Sequence, residues 1–74
     1  MATSTEAMNL QDGEAFLFNK ELYAVVTFVM SKEDGTVEGM IVRKIGRRRP
    51  DGTIVYAVSD NTERFNPYAH VVRF

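Results

Sequence analysis

The sequence has no cysteine, no tryptophan, only two prolines and a single histidine among its 74 residues. Without cysteine the chain has no disulfide framework, no zinc ribbon and no thiol nucleophile, so its stability must come from packing. The one histidine, His70, lies in an apolar run beside Val71 and Val72, which predicts a strand residue rather than a catalytic base. No metal-ligand spacing, P-loop or dinucleotide-binding motif accompanies it. We therefore expect no enzymatic activity and no cofactor.

Long apolar runs are also missing. No segment approaches the roughly 18 residues of a membrane span, and the polar residues 1–14 lack the basic and apolar regions of a signal peptide. We therefore expect a cytoplasmic protein with no membrane partner. A chain this short has room for one hydrophobic core, so we expect a single small domain with one site or one binding surface.

The residue composition changes near residue 14. Residues 1–13 are small and polar, and Thr3 with Glu6 three positions later is typical of a capping box that opens a short helix. A helix of under about 12 residues is marginal in water, so we expect an N-terminal tail, either disordered or briefly helical, over residues 1–13. The folded domain is predicted to span residues 14–74.

From residue 14 onward, short β-branched and aromatic runs alternate with turn residues, and no helical period is sustained. Residues 32–35 (KEDG) and 49–52 (RPDG) predict tight hairpins, because Asp stabilises a turn and Gly accepts a positive φ. Gly39 predicts a bulge or a sharp bend within its strand, and the polar residues 60–67 predict a single helical turn that ends at a proline. The strands predicted from this pattern are residues 15–18, 22–30, 36–45, 53–59 and 69–74.

The predicted order of elements resembles that of the small SH3-like barrels. Residues 14–74 share their five-stranded meander, their bent middle strands with a glycine, and a short turn, here residues 65–68 (FNPY), that leads into a brief last strand, here Val71 and Val72. The resemblance implies an all-β fold, either a small five-stranded SH3-like barrel or a curved antiparallel meander, with KOW-like, tudor-like and OB-fold barrels left open. It does not imply polyproline binding, because the tryptophan typical of those SH3 domains is absent.

One segment carries a concentrated charge. Five of the nine cations lie within seven positions, whereas the formal net charge is −1 and the ten acids are scattered. Repulsion among neighbouring arginines at a hairpin tip disfavours the cluster until an anionic group arrives, and each guanidinium can form a forked pair with a carboxylate or phosphate. A charged loop also serves to keep a small sheet soluble. The predicted partner-binding residues are Arg43, Lys44, Arg47, Arg48 and Arg49, with Tyr23 and Tyr68 as nearby aromatic side chains.

Two functions are consistent with this pattern. The first is a non-catalytic accessory or regulatory protein that binds another protein, because residues such as Val25 and Val29 exceed what so small a core should bury and surplus apolar surface marks interfaces. The alternative is a nucleic-acid-binding protein whose basic hairpin, residues 43–49, contacts backbone phosphates. An exposed edge of the first or last strand also allows a homodimer.

Overall fold

The computed structural model describes residues 4–74, which form an all-β domain of antiparallel strands. The only helical element among these residues is a 3₁₀ helix at Ala7–Asn9. The prediction of a small all-β domain is therefore confirmed. The strands are β1 (Ser4–Glu6), β2 (Ala15–Phe18), β3 (Glu21–Met30), β4 (Val37–Arg48), β5 (Ile54–Tyr56), β6 (Thr62–Phe65) and β7 (His70–Arg73).

The strands pair in the order β1-β7-β2-β3-β4-β5, and β6 pairs with β4 beside β5. Strand β4 therefore has two partners on its outer side, β6 along its first half and β5 along its last three residues. Only residues 66–69 join β6 to β7, although β4, β3 and β2 lie between those strands in the sheet. A link so short, which also contains a turn, requires the sheet to curl. The curled sheet is not closed into a barrel.

The β3–β4 hairpin is the longest pairing in the sheet and is irregular at three places. Its register shifts between Leu22 and Tyr23, between Val25 and Thr27, and between Val29 and Met30. Gly39 lies opposite Val29, so the irregularity predicted at this glycine is present beside it. Bulges of this kind increase the local bend of a strand, which is consistent with the curvature of the sheet.

A cluster of aromatic rings extends from the core to its border. Phe65 of β6 lies with its ring centre 5.2 Å from Phe16, 5.0 Å from Phe18 and 5.8 Å from Tyr23. These rings join strands that are distant in sequence, and such contacts stabilise beyond the area they bury. The buried members of the core are Ala7, Leu10, Phe16, Tyr23, Val25, Met40, Val42 and Val71.

The first described residues belong to the sheet and the core. β1 pairs with β7, Ala7 N donates to Ala69 O at 2.9 Å, and Met8 N donates to Pro67 O at 2.7 Å. Ala7 and Leu10 are buried. These residues include a brief 3₁₀ helix at Ala7–Asn9, but they do not form a disordered tail, because their backbone groups have hydrogen-bond partners some 60 positions further along the chain. Thr3, the expected capping residue, lies outside the described residues.

Two further expectations, one about residues 60–67 and one about the edges of the sheet, differ from the structure. Residues 62–65 form strand β6 rather than the predicted helical turn, because their backbone pairs with Met40–Arg43 of β4. The predicted first and last strands, β2 and β7, each have neighbours on both sides. A homodimer built through an edge strand would therefore use β1 or the side formed by β5 and β6.

Candidate functional site

The β4–β5 hairpin presents the arginine cluster on a tightly bonded turn. Arg49 O accepts from Gly52 N at 2.9 Å, and Arg49 N donates to Thr53 O at 2.8 Å. Gly52 has a φ of 91°, which favours glycine. Asp51 Oδ1 accepts from Thr53 N at 2.9 Å and from Thr53 Oγ1 at 2.7 Å, and these bonds lower the pKa of Asp51. This carboxylate therefore stabilises the turn in its ionised form.

A second hairpin tip lies beside the first. Asn19 and Lys20, between β2 and β3, have φ angles of 51° and 66°, as expected for a two-residue turn whose twist matches that of the sheet. Arg48 N donates to Lys20 O at 2.8 Å. This hydrogen bond brings Lys20 close to Arg47, Arg48 and Arg49, as a fourth cation beside these three arginines. Lys20 was not among the predicted binding residues, because Arg48, its neighbour across the sheet, is 28 positions away in the sequence.

An open cleft lies between the two tips. It has a volume of about 310 Å³ and is lined by Lys20, Arg48, Arg49 and Pro50. None of these lining residues is acidic, and the three cations are exposed. Repulsion among them is relieved when an anion enters. We call Lys20, Arg47, Arg48 and Arg49 together the basic tip.

The other two predicted cations are occupied within the fold. Arg43 Nη1 donates to Ser59 O at 2.6 Å, and Lys44 Nζ lies 2.9 Å from Glu21 Oε1 in an ion pair. Both cations are half-buried. The structure therefore separates the five predicted cations into three exposed arginines and two side chains that tie neighbouring segments together.

Tyr23, a predicted binding residue, lies in the core. It is 9% exposed, its ring stacks on Phe16 with centres 5.5 Å apart, and its hydroxyl donates to Glu21 Oε2 at 2.5 Å. Burial, followed by the bond to Glu21, raises the pKa of Tyr23. The same hydrogen bond, followed by the one from Lys44, lowers the pKa of Glu21. Tyr23, Glu21 and Lys44 therefore form a polar link at the border of the core.

Tyr68, the other predicted aromatic residue, is far from the basic tip. The residue is 53% exposed, and its hydroxyl donates to Val37 O at 3.2 Å. Val37 begins β4 and Arg48 ends it, a separation of roughly 36 Å along a strand. The exposed aromatic residue that does lie beside the arginines is Tyr56 of β5, paired with Gly46 and 64% exposed.

Comparison with known proteins found no match to this chain among family models, curated proteins or solved structures. Across residues 4–74, no helix has the length and apolar character needed to cross a membrane. The same residues hold no group of three or more His, Asp or Glu side chains placed to bind a metal ion.

Proposed function

We propose that this protein is a non-catalytic binding module, an accessory or regulatory protein that docks through its basic tip on an acidic surface of another protein. The observation that carries the proposal is the cleft between the two hairpin tips, where Lys20, Arg48 and Arg49 converge without an acidic lining residue. Such a patch steers an acidic partner into place and fixes its orientation.

Exposed charges alone do not account for stable binding, because a solvent-exposed ion pair contributes only about 0–1 kcal/mol. Two large exposed side chains on the segment that returns from the arginine turn supply contact area. Tyr56 pairs with Gly46, and Val58 lies further from the basic tip, between Ala57 and Ser59, which donate to Ile45 O and Lys44 O. Tyr56 is 64% exposed and Val58 is 67% exposed, and Tyr56 follows the arginine turn on β5. Tyrosine and arginine are enriched among the residues that dominate binding energy. The proposed interface therefore combines the basic tip with Tyr56 and Val58.

A protein partner fits the shape of this patch better than an extended phosphate backbone does. Arg43 and Lys44, which would lengthen the patch along β4, are held by Ser59 and Glu21. The cations that remain form a compact group rather than a track, and no aromatic ring lines the cleft. Proteins that bind single-stranded nucleic acid without sequence preference combine a basic groove with stacking rings.

We also propose that the fold is SH3-like in its arrangement. The pairing of β2 with β7, the irregular β3–β4 hairpin and the short link between β6 and β7 support this proposal. In such an arrangement the hairpin tips form a surface separate from the core. The basic tip consists of two of these tips, so its side chains are free to bind without disturbing the packing.

The test compares proteins captured by the wild type with those captured by two matched variants. Arg48→Glu reverses a charge in the basic tip, and Lys32→Glu reverses an exposed charge on the β3–β4 turn. We expect a partner that is retained by wild type and Lys32→Glu and lost by Arg48→Glu. With the purified partner, Arg48→Glu should slow association more than it speeds dissociation. Equal capture by all three proteins would sink the proposal.

Nucleic-acid binding is the second candidate, and the placement of two acids favours it. Glu38 lies near the start of β4, and Glu63 of β6 pairs with Val42 of β4, so both acids lie along the half of β4 away from the basic tip. A third acid, Asp51, lies in the arginine turn but does not line the cleft. Fluorescence anisotropy with labelled oligonucleotides at about 50 and 200 mM salt tests this candidate. Binding that falls steeply with salt and disappears in an Arg47, Arg48, Arg49 triple-alanine variant would favour nucleic acid over a protein partner.

A further inference from the structure

We infer that the cleft lined by Lys20, Arg48, Arg49 and Pro50 binds a phosphate group, and that the partner supplies it as a phosphorylated side chain. This inference rests on the proposed function and goes beyond it, because an acidic surface alone would need only carboxylates. Three properties of the cleft support phosphate: its charge, its fixed geometry and its access.

The charge of the cleft matches a dianion better than a carboxylate. Three cationic residues line one open space of about 310 Å³, and a phosphate monoester carries about −1.5 to −2 charges at neutral pH. A carboxylate carries one charge and has two oxygens, whereas a phosphate monoester offers three acceptor oxygens. Arginine forks pair with such oxygens two at a time, and lysine adds a compact point charge. Two arginines and one lysine therefore suit a phosphate group.

The backbone that carries these cations is fixed before a ligand arrives. Lys20 O is held by Arg48 N, and Lys20 itself sits in a left-handed turn conformation. Arg49 is bonded through both its N and its O within the neighbouring turn. Sites built on fixed backbone lose less entropy on binding, because only the side chains must be ordered.

The cleft is open to solvent and free of competing acids in its lining. Asp51, the next residue after Pro50, is not among the lining residues. Its Oδ1 atom accepts two hydrogen bonds from Thr53, and it forms no ion pair with Arg48 or Arg49. The open side leaves room for the side chain and backbone that carry the phosphate group.

The test follows amide NMR signals of the isotope-labelled full chain during titration. The probes are sodium phosphate, sodium acetate, and an alanine pentapeptide with a central phosphoserine, each at constant ionic strength. We expect saturable changes at Lys20, Arg48 and Arg49 with both phosphate probes, tighter binding of the phosphopeptide, and weaker binding of acetate. Lowering the pH to about 5 should weaken phosphate binding, because the second phosphate pKa is about 6.

Two variants locate the site. Lys20→Ala should weaken phosphopeptide binding by about two- to fivefold, as expected for the loss of one solvent-exposed ion pair, whereas Lys32→Ala should leave it unchanged. Equal binding of acetate and phosphate, changes that do not saturate, or equal effects of the two substitutions would overturn the inference. Tighter binding of a 5′-phosphorylated oligonucleotide than of the phosphopeptide would also overturn it. If phosphate fails while Arg48→Glu still abolishes capture of an acidic partner, the proposed function stands without this inference.

Discussion

Gly46 determines how closely β5 approaches β4, and its replacement by alanine provides a direct test of the tip geometry. A Cβ atom built on Gly46 would lie 2.6 Å from Val55 O and 3.3 Å from Tyr56 Cα. Both are backbone atoms of the paired strand, so β5 would have to retreat. Forcing extra carbon into such a contact costs about 1–3 kcal/mol, and each kcal/mol lowers the melting temperature of a domain this size by about 4–8 °C.

The matched control is Gly39→Ala on the same strand. There the atoms nearest to the new Cβ belong to the guanidinium of Arg64, with Nη2 at 2.9 Å, and the end of a flexible side chain can move. Alanine also restricts the unfolded chain, which stabilises by about 0.4–1 kcal/mol where the backbone permits it. Calorimetry should therefore show a clear loss for Gly46→Ala and little or no loss for Gly39→Ala. Equal melting temperatures for the two variants would show that Gly46 does not set the distance between β4 and β5.

The structural effect of Gly46→Ala should be local. In the wild type, Arg49 N donates to Thr53 O and Ala57 N donates to Ile45 O across the β4–β5 pairing. If β5 retreats, these two amides should exchange their hydrogens faster, whereas amides in the β2–β3 pairing should not change. Uniformly faster exchange throughout the sheet would instead indicate a global loss of stability.

Two further predictions concern the core and its border. Phe65→Ala removes a ring that touches three others and should lower the free energy of unfolding by about 2–4 kcal/mol, somewhat less than the loss of a fully buried phenylalanine. Phe18→Ala removes one ring contact and should lower it by about 1 kcal/mol. Denaturant titration measures both values. The raised pKa of Tyr23 stabilises the fold fully below the unfolded tyrosine value of about 10, and this contribution is lost as the pH rises above that value. Tyr23→Phe should therefore abolish part of the stability loss at alkaline pH. At neutral pH it should lower the free energy of unfolding by about 0.5–1.5 kcal/mol, because the hydrogen bond to Glu21 is missing. If the variant loses stability at alkaline pH as the wild type does, Tyr23 is not the group that titrates.

Local sequence signals predicted the elements whose structure is stabilised locally. β2 has the predicted bounds, residues 15–18, and both predicted hairpins form. Each hairpin turn contains an Asp-Gly-Thr sequence in which the aspartate accepts from the threonine backbone and hydroxyl, Asp34 from Thr36 and Asp51 from Thr53. These bonds span two residues, so they can be inferred from the residues themselves.

Elements stabilised by distant parts of the chain were not predictable in the same way. Thr62–Phe65 has a polar, turn-like sequence, yet it becomes β6 because β4 offers it a free edge. Residues 4–10 join the sheet because β7 and the turn before it supply hydrogen-bond partners. In both cases tertiary pairing outweighs local preference, which a single sequence does not display.

In the candidate site, too, only the locally determined features could be predicted from the sequence. The exposure of the three arginines of the basic tip was predictable, because residues 47–49 adjoin a strong turn sequence. The contacts of Arg43 and Lys44 were not, because their partners, Ser59 and Glu21, lie 16 and 23 positions away. The contribution of Lys20 depends on the pairing of β3 with β4. Spatial convergence of this kind requires the register of the sheet.

An amide NMR titration of the labelled protein with a decamer of glutamate, at low and at about 200 mM salt, shows directly whether the basic tip binds an acidic partner. We expect the largest signal changes at Lys20 and at residues 47–49, and smaller changes at the higher salt. Arg48→Glu should abolish these changes, whereas Lys32→Glu should not. If the largest changes instead occur at the opposite end of β4, around Val37 and Tyr68, or if the two variants respond identically, the basic tip is not the binding surface.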